Sequence, residues 1–320
     1  MLGFGVRRLL IAIPVLIGIA IIAFLFVHLL PGDPVRLQID PSQLTGPDSQ
    51  RYLAQKRIEL GLNRPLPVQW VLWMREVITG NLGYSFQQRV PVTQLIGQRV
   101  GATLLLSGTA VVLAVVVAVP IGVIAALKQN SVVDYLAGGL SMLAISIPVF
   151  FLGLMAIYVL ALQFNAFPSG GRQTLGVTGS FTDTVEHLVM PACVLAAVLI
   201  GPYVRYVRQS LLDVLRQDYI TTAKAKGGSR FQVVFRHALR NALIPLTAVL
   251  AVQVPALLAG TVVIETVFAW PGLGLLVYQS INGLDYPVIL AIVMISAVLV
   301  LICNLLADML AAILDPRIRL

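Results

Sequence analysis

Six stretches of the chain are almost free of polar side chains, and charge, glycine and proline collect between them. The apolar stretches cover residues 9–30, 102–127, 136–162, 188–204, 243–269 and 288–314. A bilayer core about 30 Å thick takes roughly 20 helical residues to cross. The pattern therefore predicts an all-α polytopic membrane protein with six transmembrane helices. The first run follows Arg7 and Arg8, yet its 22 residues exceed a signal-peptide core and no A-x-A site follows. It is expected as an uncleaved first span. Prolines 120, 148, 191, 202, 245 and 255 lie in or at the ends of these runs. Each frees a carbonyl that neighbouring helices or water must satisfy.

The organisation that follows is a transmembrane helix at 1–30, an extracytoplasmic loop at 31–96, a five-helix core at 97–310 and a cytoplasmic tail at 311–320. No internal repeat is visible, so an inverted-repeat transporter is not supported. Within the outer loop, residues 69–79 follow Pro65 and Pro67 and end at Gly80, a proline-start, glycine-stop signature. Trp70, Trp73, Met74, Val77 and Ile78 share one face of that helix. It fits either an amphipathic helix at the membrane surface or a docking surface for an extracytoplasmic partner.

Composition agrees with this reading and narrows it. Hydrophobic residues make up 58% and charged residues 11%, against about 25% charged in soluble domains. That excludes a water-soluble enzyme. The net charge of +8 is spread between the apolar runs rather than along one stripe, which argues against a nucleic-acid partner. With the N-terminus inside, the cytoplasmic segments carry thirteen Lys and Arg and the short outer loops only Arg172. The long 31–101 segment is exempt from this count, so both termini are expected in the cytoplasm. Cys193 and Cys303 both lie inside apolar runs and offer neither a disulfide framework nor a metal site.

The basic inner loop, 205–242, carries more local order than orientation requires. Asp218 reads as an N-cap, Lys224 and Lys226 fall in the last turn, and Gly227 suits a left-handed stop. The helix so defined has about two turns, too few to stand alone in water. Ser229 and Gln232 then form a capping box opening a second helix. Its apolar stripe is expected to be Phe231, Val234, Phe235, Ala238, Leu239 and Ala242. A positive-inside loop gripping anionic lipid would explain the charge. The paired start and stop signals point further, to a short helix presented to a cytoplasmic partner.

Other chemistry is sparse. No G-x-x-x-x-G-K-[ST] sequence occurs, so the chain has no P-loop for ATP. His28, His187 and His237 are widely separated, and metal ligation is not expected. Ionisable groups inside spans are functional candidates because burying charge in lipid is costly. Glu265, near the outer end of span five, could line a translocation path or turn its carboxyl to backbone donors near 270–272. Asp308 in span six is expected to form a structural ion pair with Arg7, Arg8 or an inner-loop arginine.

The segment 218–245, DYITTAKAKGGSRFQVVFRHALRNALIP, resembles the cytoplasmic loop of permeases in the dipeptide/oligopeptide (peptide/nickel) family of ABC importers. FVHLLPGDP at 26–34, LGLNRPLPVQW at 60–70, ETVFAWPGLG at 265–274, DYPV at 285–288 and DPRIR at 315–319 extend the likeness along nearly the whole chain. The resemblance implies a type I ABC importer permease fold in a bacterial cytoplasmic (inner) membrane. It makes the short helix a coupling helix seated in an ATPase groove, with Asp218, Tyr219, Thr221, Thr222, Ala223, Ala225, Gly227 and Arg230 as the coupling residues. The general importer motif starts with Glu-Ala-Ala; here Thr221, Thr222 and Ala223 stand in those places, as in peptide-type permeases. The missing Glu removes any salt bridge attributed to it.

The implied partners are a second, related permease, two ABC ATPase subunits, an extracytoplasmic binding protein and membrane lipid. ATP and Mg would be bound by the ATPases, and this chain would be a transport subunit without a cofactor or catalytic residue of its own. Peptides are the substrate class implied. Nickel complexes, glutathione and oligosaccharides are alternatives within the family, and an ion-coupled secondary transporter or a non-transporting scaffold lies outside it.

Overall fold

A computed structural model of the chain describes residues 2–29, 49–59, 63–177, 179–252 and 254–314. Among the described residues the regular structure is helical, with one isolated antiparallel bridge between Tyr84 and Pro91. In chain order the helices are α1 (Leu2–Leu29), α2 (Ser49–Glu59), α3 (Leu66–Ile78), α4 (Val92–Leu127), α5 (Val132–Ser146) and α6 (Val149–Ala156). They continue with α7 (Phe181–Leu215), α8 (Asp218–Ala225), α9 (Arg230–Gln232), α10 (Leu239–Val252), α11 (Val254–Val267), α12 (Leu273–Asn282) and α13 (Tyr286–Leu314). Two π-helical turns, Ile157–Gln163 and Val233–Ala238, extend α6 and join α9 to α10.

Four of these helices contain stretches long and apolar enough to cross a bilayer: Leu10–Leu29, Val92–Leu127, Phe181–Leu215 and Tyr286–Leu305. The run expected as a single span at 136–162 is instead two helices meeting at 94°. Pro148 causes the break. Its ring excludes the residue before it from helical geometry, and Ile147 is extended at φ −88°, ψ 123°. The run at 243–269 is carried by α10 and α11, on either side of residue 253, which lies outside the described residues.

The chain forms two compact units, one centred on Ala102–Gly274 with the chain from Ile302 onward, the other built of Leu2–Gly101 and Leu275–Leu301. In the first, α7 is the central pillar. Its 35 residues outrun the apolar stretch at 188–204 at both ends, starting from Ser180, whose side chain accepts from the Asp183 N–H. In the same core α4 buries a ridge at four-residue spacing, Ala102, Leu106, Ala110, Ala114 and Ala118, all fully buried. Small residues let helix backbones approach where lipid offers no hydrophobic drive. Gly122 shows how close the approach is: a Cβ there would lie 2.8 Å from Val207 Cβ. Gly201 meets the Ser141 carbonyl on α5 in the same way, at 2.6 Å.

In the second unit, Val27 of α1 packs with Tyr286, Ile289 and Leu290 of α13, and Trp73 of α3 joins this cluster. Helix α3 starts at Leu66, three residues before the expected 69, and Gly80 ends it at φ 84°. It contributes no fully buried residue. Trp73 stacks near Phe24 at 5.8 Å, and Gln69 Oε1 lies 3.3 Å from His28 Nε2. The start of α13 is anchored by the buried Asp285. Its carboxylate accepts from Ser85 Oγ and, at 3.0 and 3.4 Å, from the backbone N–H groups of Phe86 and Gln87.

Candidate functional site

Helix α8 has eight residues, below the length at which a helix is stable alone, so its stability must come from packing. Ile220 supplies it. That side chain is fully buried in the core formed with Leu211, Leu212, Val233, Val234 and Ala238, a burial contributing about 1.5–3 kcal/mol. Ala223, one turn on, is partly covered by the same core. Asp218, Tyr219, Thr221, Thr222 and Ala225 are exposed. The helix thus rests on Ile220 and, in part, Ala223, and presents its other side chains outward.

The two helix ends are closed differently. At the start the N-cap is Gln217, not Asp218. Asp218 occupies the first helical turn without a side-chain cap, where its charge still suits the positive end of the dipole. At the far end the Gly227 N–H bonds to Lys224 O at 3.0 Å and the Gly228 N–H to Ala223 O at 3.2 Å. These are the two bonds of a Schellman stop. Gly227 takes φ 82°, as its left-handed role requires. Gly228 serves differently: a Cβ there would meet Ala223 O at 2.9 Å and Val233 Cγ2 at 3.2 Å.

The second helix opens with the expected capping box, Gln232 N–H donating to Ser229 Oγ and Ser229 N–H to Gln232 Oε1, each at 3.3 Å. Its buried stripe differs from expectation. Val233, Val234, Ala238 and Ala242 are buried, whereas Phe231 and Phe235 are exposed at 69% and 47% and stack on each other at 4.4 Å. The π-helical turn at Val233–Ala238 inserts an extra residue into the repeat and rotates the phenylalanines off the core. Asn241 Nδ2 on α10 donates to Tyr219 Oη at 3.0 Å, and Ser210 Oγ on α7 to Ala242 O at 2.8 Å. These bonds tie α8 to α10 and α10 to α7. The side chain of Arg230 lies outside the described residues.

Sequence reading missed an ion pair close by. Asp134, in the first turn of α5, accepts both guanidinium bonds of Arg208 on α7, at 2.5 and 2.7 Å. The Asn130 N–H also reaches Asp134, at 3.0 Å. The pair spans 74 positions, and its one sequence signal is a capping acid three residues after Ser131. It fastens the broken span to the helix that leads into α8.

Glu265 is fully buried in the first unit. Thr103 Oγ1 donates to its carboxylate at 2.6 Å and itself accepts the Leu273 N–H at 2.8 Å. Trp270 Nε1 donates to Ala102 O at 2.9 Å. Gly272 leaves room for the carboxyl, since a Cβ there would lie 2.3 Å from Glu265 Cδ. Of the two roles left open for Glu265, this geometry favours packing over lining a path. Asp308 falls within α13, and its side chain lies outside the described residues. Among the described residues no cluster of His, Cys, Asp and Glu could hold a metal ion.

Two family models match the chain. The binding-protein-dependent transport system inner membrane component covers residues 118–320, and the N-terminal component of the same systems covers 1–107. The oligopeptide transport system permease protein AppB of Bacillus subtilis is 41% identical over 320 residues, all of both chains. The dipeptide transport system permease protein DppB of Escherichia coli is 38% identical, covering 100% of this chain and 99% of that one. The glutathione transport system permease protein GsiC of Salmonella paratyphi A is also 38% identical, with the same coverage. A structure of the MetNI methionine ABC transporter, inward facing, aligns at TM-score 0.56 and 18% identity over 69% of this chain and 97% of that one. That similarity establishes the type I ABC importer permease fold. With its family models reaching both ends and relatives matching over their whole length, the chain belongs to the inner membrane permeases of binding-protein-dependent ABC transport systems.

Proposed function

We propose that this chain is one permease of an ATP-driven importer of di- or oligopeptides, with six spans and both termini in the cytoplasm. The observation that carries the coupling half of this reading is α8. It is an eight-residue helix held by the buried Ile220 and closed by Gly227 and Gly228, with Asp218, Tyr219, Thr221, Thr222 and Ala225 turned outward. A helix too short to persist alone, yet held by a buried side chain and a glycine stop, suits a rigid element pressed into a partner's groove. That partner would be the ATPase pair, which would hold ATP and Mg. A second, related permease would complete the path, and a binding protein would deliver substrate from outside.

Force applied to α8 has a continuous route inward. Ile220 bears on the α7 core, Asn241 links Tyr219 to α10, and Arg208 links α7 to the broken α5–α6 span through Asp134. ATP-driven closure of the ATPases would move α8 as a unit, and those links would carry the motion to the spans. Peptide as the substrate class rests on the relatives AppB and DppB. An ion-coupled transporter needs an accessible carboxylate in its path, and the burial of Glu265 speaks against that residue.

Affinity purification of the tagged chain in mild detergent, with mass spectrometry of what accompanies it, tests the reading. Recovery of a P-loop ATPase, a second permease and a peptide-binding protein is the expected result. Transport by this chain alone in proteoliposomes without ATP would overturn it.

A further inference from the structure

The 164–180 loop, in the first unit, is tied down by side chains that the coupling route does not use. Three residues at the start of α7 hold it. The Asp183 carboxylate accepts from the Thr174 N–H at 2.9 Å and from Thr174 Oγ1 at 2.6 Å. Thr184 Oγ1 accepts from Gln173 Nε2 at 3.4 Å, and His187 Nδ1 lies 3.0 Å from Gly170 O. On its other side the loop is bonded to the residue after α11, the Gly171 N–H donating to Phe268 O at 2.8 Å. Gly170 permits that approach, because a Cβ there would sit 2.7 Å from the same oxygen. Residues 170–174 therefore form a strap from the first turns of α7 to the end of α11.

The hydrogen count of this strap favours one charge state. Gly170 O can only accept, so its bond to the buried His187 needs a hydrogen on Nδ1. A carboxylate can only accept as well, so the Thr174 hydroxyl gives its one hydrogen to Asp183. Its lone pair then faces His187 Nε2 at 3.3 Å, a contact that bonds only if Nε2 is also protonated. Both ring nitrogens thus face acceptors, which an imidazolium satisfies and a neutral imidazole does not. Asp183 Oδ1, 3.7 Å from Nε2, balances the charge. The other charged groups on the elements meeting here are the exposed Glu186 on α7, Arg172 in the strap and Glu265 on α11, whose carboxyl is engaged by Thr103. We propose that His187 is a proton-operated latch: charged, it fastens the 170–174 strap across the ends of α7 and α11, and on losing its proton it lets the strap loosen. The extra bond belongs to the protonated form, so the strap is held fully in acid and released as pH rises. Under the proposed topology the latch faces outward, so an acid medium would hold the outer ends of α7 and α11 together. That direction rests on the topology, whereas the latch itself does not.

Native-state hydrogen exchange of the full-length chain in nanodiscs reads the strap directly, through the Gly171 and Thr174 amides. A hydrogen bond to a charged group is worth roughly 10- to 150-fold in an equilibrium. After correction for intrinsic rates, protection of those amides should fall by that factor from about pH 5 to about pH 8, the range in which imidazoles lose their proton. In a chain carrying His28→Gln and His237→Gln, nitrogen NMR of the remaining histidine should show both ring nitrogens protonated at the acid end and Nδ1 alone at the other. His187→Gln should give pH-independent protection no higher than the wild-type alkaline value. Thr174→Val leaves His187 and its Gly170 bond in place and should also flatten the profile, which keeps the test open if the glutamine variant folds poorly. Wild-type protection that does not change with pH would overturn the latch. So would a pH dependence that survives His187→Gln, which would assign the titration to Asp183 or Glu186. Both faces of a nanodisc meet the same buffer, so neither result depends on the topology or on peptide transport.

Discussion

Gly227 and Gly228 are neighbours with unlike duties, and substitutions separate them. Gly227 needs a left-handed backbone, which costs an ordinary residue about 1–2 kcal/mol and asparagine less. Uptake should therefore fall in the order Gly227→Asn, Gly227→Val, Gly227→Pro, with proline, fixed near φ −65°, abolishing both uptake and ATPase co-purification. Normal uptake by the proline variant would sink the coupling role of α8. Gly228→Ala fails by collision with Ala223 O rather than by backbone strain, so asparagine there should be no better tolerated than alanine. The left-handed stop at Gly227 was legible from its place after two lysines, because capping is local chemistry. The need for glycine at 228 was not, because Val233 reaches it only through the fold. Glu265 and Gly272 make a second residue-scale case. Gly272→Ala drives a methyl into the carboxyl, and removing that carboxyl with Glu265→Ala should relieve part of the damage. A double-mutant cycle on thermal stability in detergent should show coupling of about 0.5–3 kcal/mol, whereas strict additivity would mean that the two do not meet.

Elements join where sequence gives least warning. The Asp134–Arg208 pair holds the start of α5 to α7 across 74 residues, and hydropathy carries no record of such a partner. Asp134→Asn removes the charge while keeping an acceptor, and Asp134→Ala removes both. Stability should drop in that order, by about 1.5–3 kcal/mol for alanine, the range for hydrogen bonds to charged groups. If the pair is also a link in transmission, Asp134→Asn should lower uptake more than it lowers basal ATP hydrolysis of the assembled transporter. An equal fall in both would leave it as a brace. The same scale explains the uneven success of pattern reading. The capping box at Ser229 and Gln232 was visible because its parts lie three residues apart. The span at 136–162 looked continuous because both arms of the 94° bend are apolar, and Pro148 alone marked the break. The stripe that should have contained Phe231 and Phe235 failed for another reason: a π-helical turn changes the repeat, and no composition signal announces one.

At the scale of the whole molecule the question is which side of the membrane each loop occupies. Thirteen Lys and Arg on one set of segments against Arg172 on the short outer loops bias the orientation strongly, and every functional argument for α8 depends on it. Three exposed positions suit a direct measurement: Leu175 in the 164–180 loop, Gln129 after α4 and Tyr219 on α8. Placed singly as cysteine in a chain with Cys193 and Cys303 replaced by alanine, they can be probed with a membrane-impermeant maleimide. Leu175→Cys should label in intact cells, while Gln129→Cys and Tyr219→Cys should label only after permeabilisation. With ATPase present, Tyr219→Cys should become several-fold slower to label and Gln129→Cys should not, because only the outward face of α8 enters the groove. Labelling of Tyr219→Cys from outside would reverse the topology and remove α8 from reach of any ATP-hydrolysing partner. Inside labelling without protection would keep the topology but move the ATPase contact elsewhere, and the exposed Phe231 and Phe235 pair would be the next surface to probe.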